Sequence, residues 1–129
     1  METLRVLLVE DDAMLRQTLA RMLAAYPEVQ VIAQAATGDE AVSYVEKHNP
    51  HVVVMDIRLP RMDGIAATRV IKWKFPQVQI IGLSEYGHGY NANAMLKAGA
   101  IAVYQKSMAT EELYSAIKKA GRGFSQLSA

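Results

Sequence analysis

The chain has 129 residues, 51% of them hydrophobic, with 14 basic and 13 acidic side chains and a formal net charge of +1. That is the size of one ordinary domain with enough apolar side chains for a core, and the balanced charge gives no footprint for direct nucleic-acid binding. Cysteine is absent, which excludes a disulfide scaffold and thiolate metal sites; no apolar run could cross a bilayer and no secretory pattern opens the chain, so a cytoplasmic address without membrane contact is expected.

Leu4 to Val9 reads as a first strand that stops at Glu10-Asp11-Asp12. Met14, Leu15, Thr18, Leu19, Met22 and Leu23 then recur at helical spacing, with Asp12 placed to cap that helix. Val29 to Ala35 is a second strand, and Thr37-Gly38-Asp39-Glu40 opens a helix that Asn49-Pro50 stops. Val52-Val53-Val54-Met55 is an unbroken apolar run, the mark of a strand buried on both faces, and it ends at Asp56. Asp63-Gly64 is a turn and cap signal before a third helix carrying Ile65, Ala66, Val70, Ile71 and Trp73 and ended by Phe75-Pro76. Val78 to Leu83 is strand four and stops at Ser84. Beyond the Gly87-His88-Gly89 loop, Tyr90 to Ala98 is a fourth helix that Gly99 would end. Ile101 to Gln105 is strand five, stopping at Lys106, and Met108 to Ala120 is the last helix, with Leu113, Ala116, Ile117 and Ala120 as its apolar stripe.

Strands alternating with helices through short connections form right-handed βαβ units, so an α/β fold is expected. Its five-stranded parallel sheet would have helices on both faces and the flavodoxin-like order 2-1-3-4-5.

Ligands in such sheets bind beyond the carboxyl ends of the strands, at the switch point between strands one and three. Glu10, Asp11, Asp56, Ser84 and Lys106 all fall at strand carboxyl ends. A lone Asp or Lys there is ordinarily a cap or surface residue, and Glu10-Asp11-Asp12 alone would be a solvated helix start. Their agreement in register favours a site. Three converging carboxylates need a proton or a cation, and hard oxygen donors without His or Cys select Mg²⁺, with Mn²⁺ as the alternative. Adding a lysine charge and a serine hydroxyl describes phosphoryl transfer with Asp56 as nucleophile.

The motifs Leu8-Val9-Glu10-Asp11, Met55-Asp56-Ile57-Arg58-Leu59-Pro60-Arg61-Met62-Asp63-Gly64, Leu83-Ser84 and Tyr104-Gln105-Lys106 resemble the CheY-like receiver domain of two-component response regulators. The resemblance covers nearly the whole chain, in order and in spacing. It implies a signalling switch that accepts a phosphoryl group on Asp56 from a sensor histidine kinase. It also implies Mg²⁺ held by Asp11, Asp56 and the backbone carbonyl of Arg58, with Glu10 acting through water. Ser84 and Lys106 would hold the phosphoryl oxygens, and Tyr104 would be the switching aromatic. Lys106 followed by Ser107 where the family usually has proline, and the run Asp63 to Arg69, resemble the LuxR-type (NarL/FixJ) subclass. That subclass implies transcriptional output through a DNA-binding domain outside this chain. A homodimer on phosphorylation is a separate expectation. Residues 1–121 would be the receiver, and 122–129 a tail or the start of a linker.

Two other functions compete. An aspartyl-phosphate phosphatase of the haloacid-dehalogenase type needs a second Asp two residues after the nucleophile. Arg58 stands there, so no turnover on external substrates is expected beyond slow hydrolysis of the protein's own aspartyl phosphate. A phosphorylation-independent pseudo-receiver is the alternative, kept open by Ser107 and by Glu85, an acid beside Ser84 where the family commonly has a small residue. His48, His51 and His88 form no ligand pattern and read as incidental, and Trp73 and the seven Met as core and surface filler.

Overall fold

The computed structural model describes residues 3–128, with side chains up to Arg122. Five strands, β1 (Leu4–Val9), β2 (Val29–Ala35), β3 (Val52–Asp56), β4 (Gln79–Ser84) and β5 (Ala102–Gln105), form one parallel sheet in the order β2-β1-β3-β4-β5. Five helices alternate with them: α1 (Ala13–Leu23), α2 (Gly38–His48), α3 (Gly64–Lys74), α4 (Tyr90–Ala98) and α5 (Thr110–Ser128). The expected architecture is therefore observed.

Alternation along each strand splits the interior in two. Leu7, Val9, Val53, Met55 and Ile80 face α2, α3 and α4, whereas Val6, Leu8, Val54, Ile81 and Leu83 face α1 and α5. Every residue of β3 is buried, because helices cover both sides of a central parallel strand. Gly82 matters on the first side. A Cβ there would lie 2.9 Å from Met95 Cγ, so the missing side chain leaves the seat into which α4 lowers Met95.

Local chemistry sets the helix starts. Asp12, Thr37 and Asp63 each accept from the backbone N–H three residues on, at 3.1, 3.2 and 2.8 Å. Glu40 reaches back to the Ala36 N–H at 2.8 Å, a relative of the capping box. Gly89 precedes α4 without a side-chain cap, and Gly99 ends that helix at φ 123.

Several expectations need correction. Trp73 is 81% exposed and Met14 79% exposed; the sides of α3 and α1 turned inward carry Ala67, Thr68, Ile71 and Leu23 instead. Strand β5 starts at Ala102; Ile101 just before it donates its N–H to Ile80 O and has its side chain 47% exposed. The last helix starts at Thr110, after a turn in which Met108 N–H bonds Gln105 O, and runs past Ala120 to Ser128. His51 is no ligand but is not incidental. Its Nδ1 accepts the Arg5 N–H at 2.9 Å while its own N–H donates to Arg5 O, tying β1 to the start of β3. No cis peptide bond occurs among the described residues, so Lys106–Ser107 is trans. No helix among them is long and apolar enough to cross a membrane.

Candidate functional site

Strands β1, β3, β4 and β5 end at one side of the sheet, and there the sequence places its reactive groups. Ladder bonds hold the ends in register: Glu10 N–H to Ala35 O, Ile57 N–H to Leu83 O, and Lys106 N–H to Ser84 O at 2.8 Å. Glu10 is 1% exposed, Asp56 3% and Ser84 8%. Asp11 stands open to solvent. One carboxylate oxygen from each of Glu10, Asp11 and Asp56 lies within 4.8 Å of the others.

Lys106 reaches into this cluster. Its Nζ lies 3.1 Å from Asp56 Oδ2 in a hydrogen bond and 2.9 Å from Glu10 Oε1 in an ion pair. The second contact lacks hydrogen-bond geometry, so Glu10 Oε1 is a buried carboxylate oxygen with no hydrogen-bond donor. Its partner Oε2 accepts the Asp12 N–H at 3.0 Å, and Asp56 Oδ1 accepts the Arg58 N–H at 3.3 Å. Burial pushes the Glu10 carboxyl above its ordinary pKa. Asp11 and Asp56 add to the rise, and the Asp12 N–H and Lys106 only partly offset it. Burial would lower the Lys106 ammonium, but Glu10 and Asp56 outweigh it and hold it above the usual lysine value.

Asp56, Arg58, Ser84, Glu85 and Lys106 line a cleft of about 460 Å³ together with the β4–α4 loop, including Tyr86, His88 and Tyr90. Tyr104 is not among the lining groups; it is half-buried on the other side, in the cluster shared with α5, opposite Leu83 in the β4–β5 register. The structure thus brings the acids, Ser84 and Lys106 together at one end of the sheet and places Tyr104 behind them.

The loop that carries Arg58 is tightly drawn. Met62 N–H bonds Pro60 O at 2.8 Å across Arg61, which sits at φ 69, a three-residue turn uncommon for a side-chain-bearing residue. Gly64 N–H bonds Ile57 O at 2.7 Å. Arg16 braces the end of β1, donating from Nη1 to Glu10 O at 2.7 Å. Sequence reasoning missed these supports. Glycine directly after the Asp63 cap was the available signal for close backbone approach.

An acid at the end of the central strand, two more from the first strand and a lysine from the last define the receiver class of α/β domain. The chain belongs to the response regulator receiver domain family, whose model matches residues 6–118. It is 33% identical over 120 residues to the transcriptional regulatory protein DegU of Brevibacillus brevis, covering 93% of this chain and 51% of DegU. Among solved structures, it superposes with TM-score 0.86 and 32% identity on a LuxR-family two-component response regulator from Aurantimonas sp. SI85-9A1, covering 95% of this chain and 87% of that one. It also superposes on the CheX–CheY complex with BeF3 and Mg²⁺ from Borrelia burgdorferi, with TM-score 0.83, 25% identity and coverage of 92% and 89%. The chain spans about half the length of the curated relatives it matches.

Receiver domains bind Mg²⁺ at an acidic pocket, and the residues here fit such an ion. The donors are all hard oxygens, and Glu10 Oε1 is a buried anionic oxygen with no hydrogen-bond donor. Lys106 compensates that oxygen only in part and is shared with Asp56, so a cation beside the three acids would offset the remaining cost of burying charge.

Proposed function

We propose that this chain is a phosphorylation-activated switch in which Asp56 accepts a phosphoryl group from a sensor histidine kinase. The observation that carries the reading is the placement of the Asp56 carboxylate: buried, open to a cleft, beside two further acids and 3.1 Å from Lys106 Nζ. In the transfer, an Asp56 carboxylate oxygen forms a P–O bond as the P–N bond of the donor's phosphohistidine breaks, and the imidazole leaves with the bonding pair. Glu10, Asp11, Asp56 and the Arg58 backbone carbonyl would hold Mg²⁺, which supplies charge neutralisation for the carboxylates and the incoming phosphoryl oxygens. Lys106 moves from the carboxylates to the product's oxygens, and Ser84 donates its hydroxyl to them.

Drawing Ser84 inward lets Tyr104 follow, which repacks the face formed by α4, β5 and α5. Relatives with names such as transcriptional regulatory protein DegU support an output in transcription. That output would act through a DNA-binding domain beyond a receiver unit of residues 1–121, with 122–129 leading into the connection. Turnover on external substrates is not part of this reading. The pseudo-receiver alternative is favoured by one observation, the exposed acid Glu85 on the cleft wall.

Incubation with acetyl phosphate tests the proposal. Mg²⁺-dependent labelling that is lost in Asp56→Asn is the expected result. Labelling that survives that substitution, or none at any Mg²⁺ concentration, refutes it.

A further inference from the structure

The only tryptophan of the chain lies outside the phosphoacceptor site. Trp73 is in the last turn of α3 and is 81% exposed. A side chain of this size usually buries most of its surface, and its exposure leaves a large apolar area in water. With Arg69, Val70 and Lys74 it lines a shallow depression of about 430 Å³.

The charges around it are one-sided. Helix α3 carries Arg69, Lys72 and Lys74 and no acidic residue. Lys72 is committed to the fold, since its Nζ bonds Pro76 O at 2.7 Å and Val78 O at 2.8 Å. Arg69 and Lys74 are exposed, and among the described residues neither has a carboxylate partner. The inward side of the helix is spent on Ala67, Thr68 and Ile71 in the core. What remains is an aromatic anchor with Arg69 one turn before it and Lys74 beside it; tryptophan and arginine are the residue types enriched in interface hot spots, and Lys74 adds charge at the rim.

We infer that the outer face of α3, centred on Trp73, is a docking surface for an acidic protein segment bearing an apolar anchor side chain. The occupant follows from charge complementarity. The apolar anchor would cover Trp73 and Val70, and its flanking carboxylates would meet Arg69 and Lys74. Nucleic acid fits less well, because one aromatic and two cations on a chain of net charge +1 make no backbone-tracking stripe. A patch of this size belongs to transient interfaces. The last turn of α3 lies at the end of the sheet away from Asp56, and α1 and α5 cover the opposite face. An occupant can therefore sit there without blocking phosphoryl transfer.

Trp73 reports on its own surface. The full chain is titrated with an amphipathic peptide of about 16 residues, with leucines at helical spacing and glutamates elsewhere. The counterparts are the same peptide with lysines for glutamates, a single-stranded oligonucleotide and vesicles containing anionic lipid. The expected result is a saturable blue shift of Trp73 emission with the glutamate peptide alone, weakened at least about tenfold by joint Arg69→Glu and Lys74→Glu. Both substitutions are at exposed positions, and unchanged circular dichroism and acetyl phosphate labelling would verify the fold. No shift with the glutamate peptide, an equal response to the lysine peptide, a response to oligonucleotide or vesicles instead, or binding that survives charge reversal would each overturn the inference.

Discussion

Gly64 lies against the backbone of Asp56: a Cβ at position 64 would come 2.2 Å from the Asp56 carbonyl oxygen and 2.8 Å from Ile57 Cα. Both neighbours are main chain at the end of a fully buried strand, so neither can swing aside. Gly64→Ala should therefore cost about 3 kcal/mol in urea unfolding. Asp56 labelling should slow as the strand end shifts. Wild-type stability in this variant would contradict the close approach.

Glu10 sets stability against function. Its carboxyl has a pKa above the ordinary 4.5, first through burial and then through Asp11 and Asp56, despite the Asp12 N–H and Lys106. A raised folded-state pKa gives stability that is present below the unfolded value and lost as pH rises through the folded value. At neutral pH the charged form is thus a burden. Without metal, Glu10→Gln should raise the melting temperature by about 3–5 °C, roughly 1 kcal/mol. The advantage should appear only as pH climbs above about 4.5, and Mg²⁺ affinity should fall. A variant less stable than wild type at pH 7 would show that the Lys106 pair outweighs desolvation.

Lys106→Ala leaves Glu10 and Asp56 without their cation. The lysine is partly exposed, so the loss is discounted from that of a fully buried pair to about 1–2 kcal/mol in metal-free buffer. Mg²⁺ should restore much of it. Acetyl phosphate labelling of Asp56 should persist while the phosphorylation-linked change at Tyr104 is lost, read from NMR shifts of that residue. A variant that binds Mg²⁺ but cannot be labelled would assign Lys106 to the transfer step instead.

Any phosphorylation-dependent dimer should form through α1 and α5, not as a salt-bridged pair across α4 and β5. Strand β5 contributes no acid, and α4 carries Lys97 as its only charge, so the α4–β5 face cannot form reciprocal ion pairs of its own residues. By contrast, α1 leaves Met14 79% and Met22 47% exposed. Cross-linking of the beryllofluoride-treated protein should trap pairs between cysteines introduced on α1 and α5. A symmetric dimer held by ion pairs at α4 and β5 would refute the assignment.

Strands one, three and four were legible from sequence because they are largely apolar runs that stop abruptly at polar groups. Val52 to Asp56 could hardly be anything else, and Glu10, Ser84 and Lys106 follow from the same register. Helix facing was less legible. Val70, Ile71 and Trp73 are consecutive enough that helical spacing admits two inward sides, and Gly64 decides between them by bringing the helix start onto the strand end. His51 escaped because its partner, Arg5, is 46 residues away and is fixed only once β1 and β3 pair. The turn at Arg61 depends on backbone geometry that its side chain does not announce. Nor could the sequence show that Glu10 Oε1 has an ionic neighbour without a hydrogen bond, since that is a matter of angle.

Met95 rests in the space over Gly82, touched by the Thr68 hydroxyl at 3.5 Å. An unbranched thioether with several rotatable bonds fills such a seat in more than one shape. Helix α4 is thus mounted on a compliant bearing. Were phosphorylation at the strand ends to displace α4, the Met95 side chain could change rotamer and keep the seat filled, so that no void need open beneath the helix.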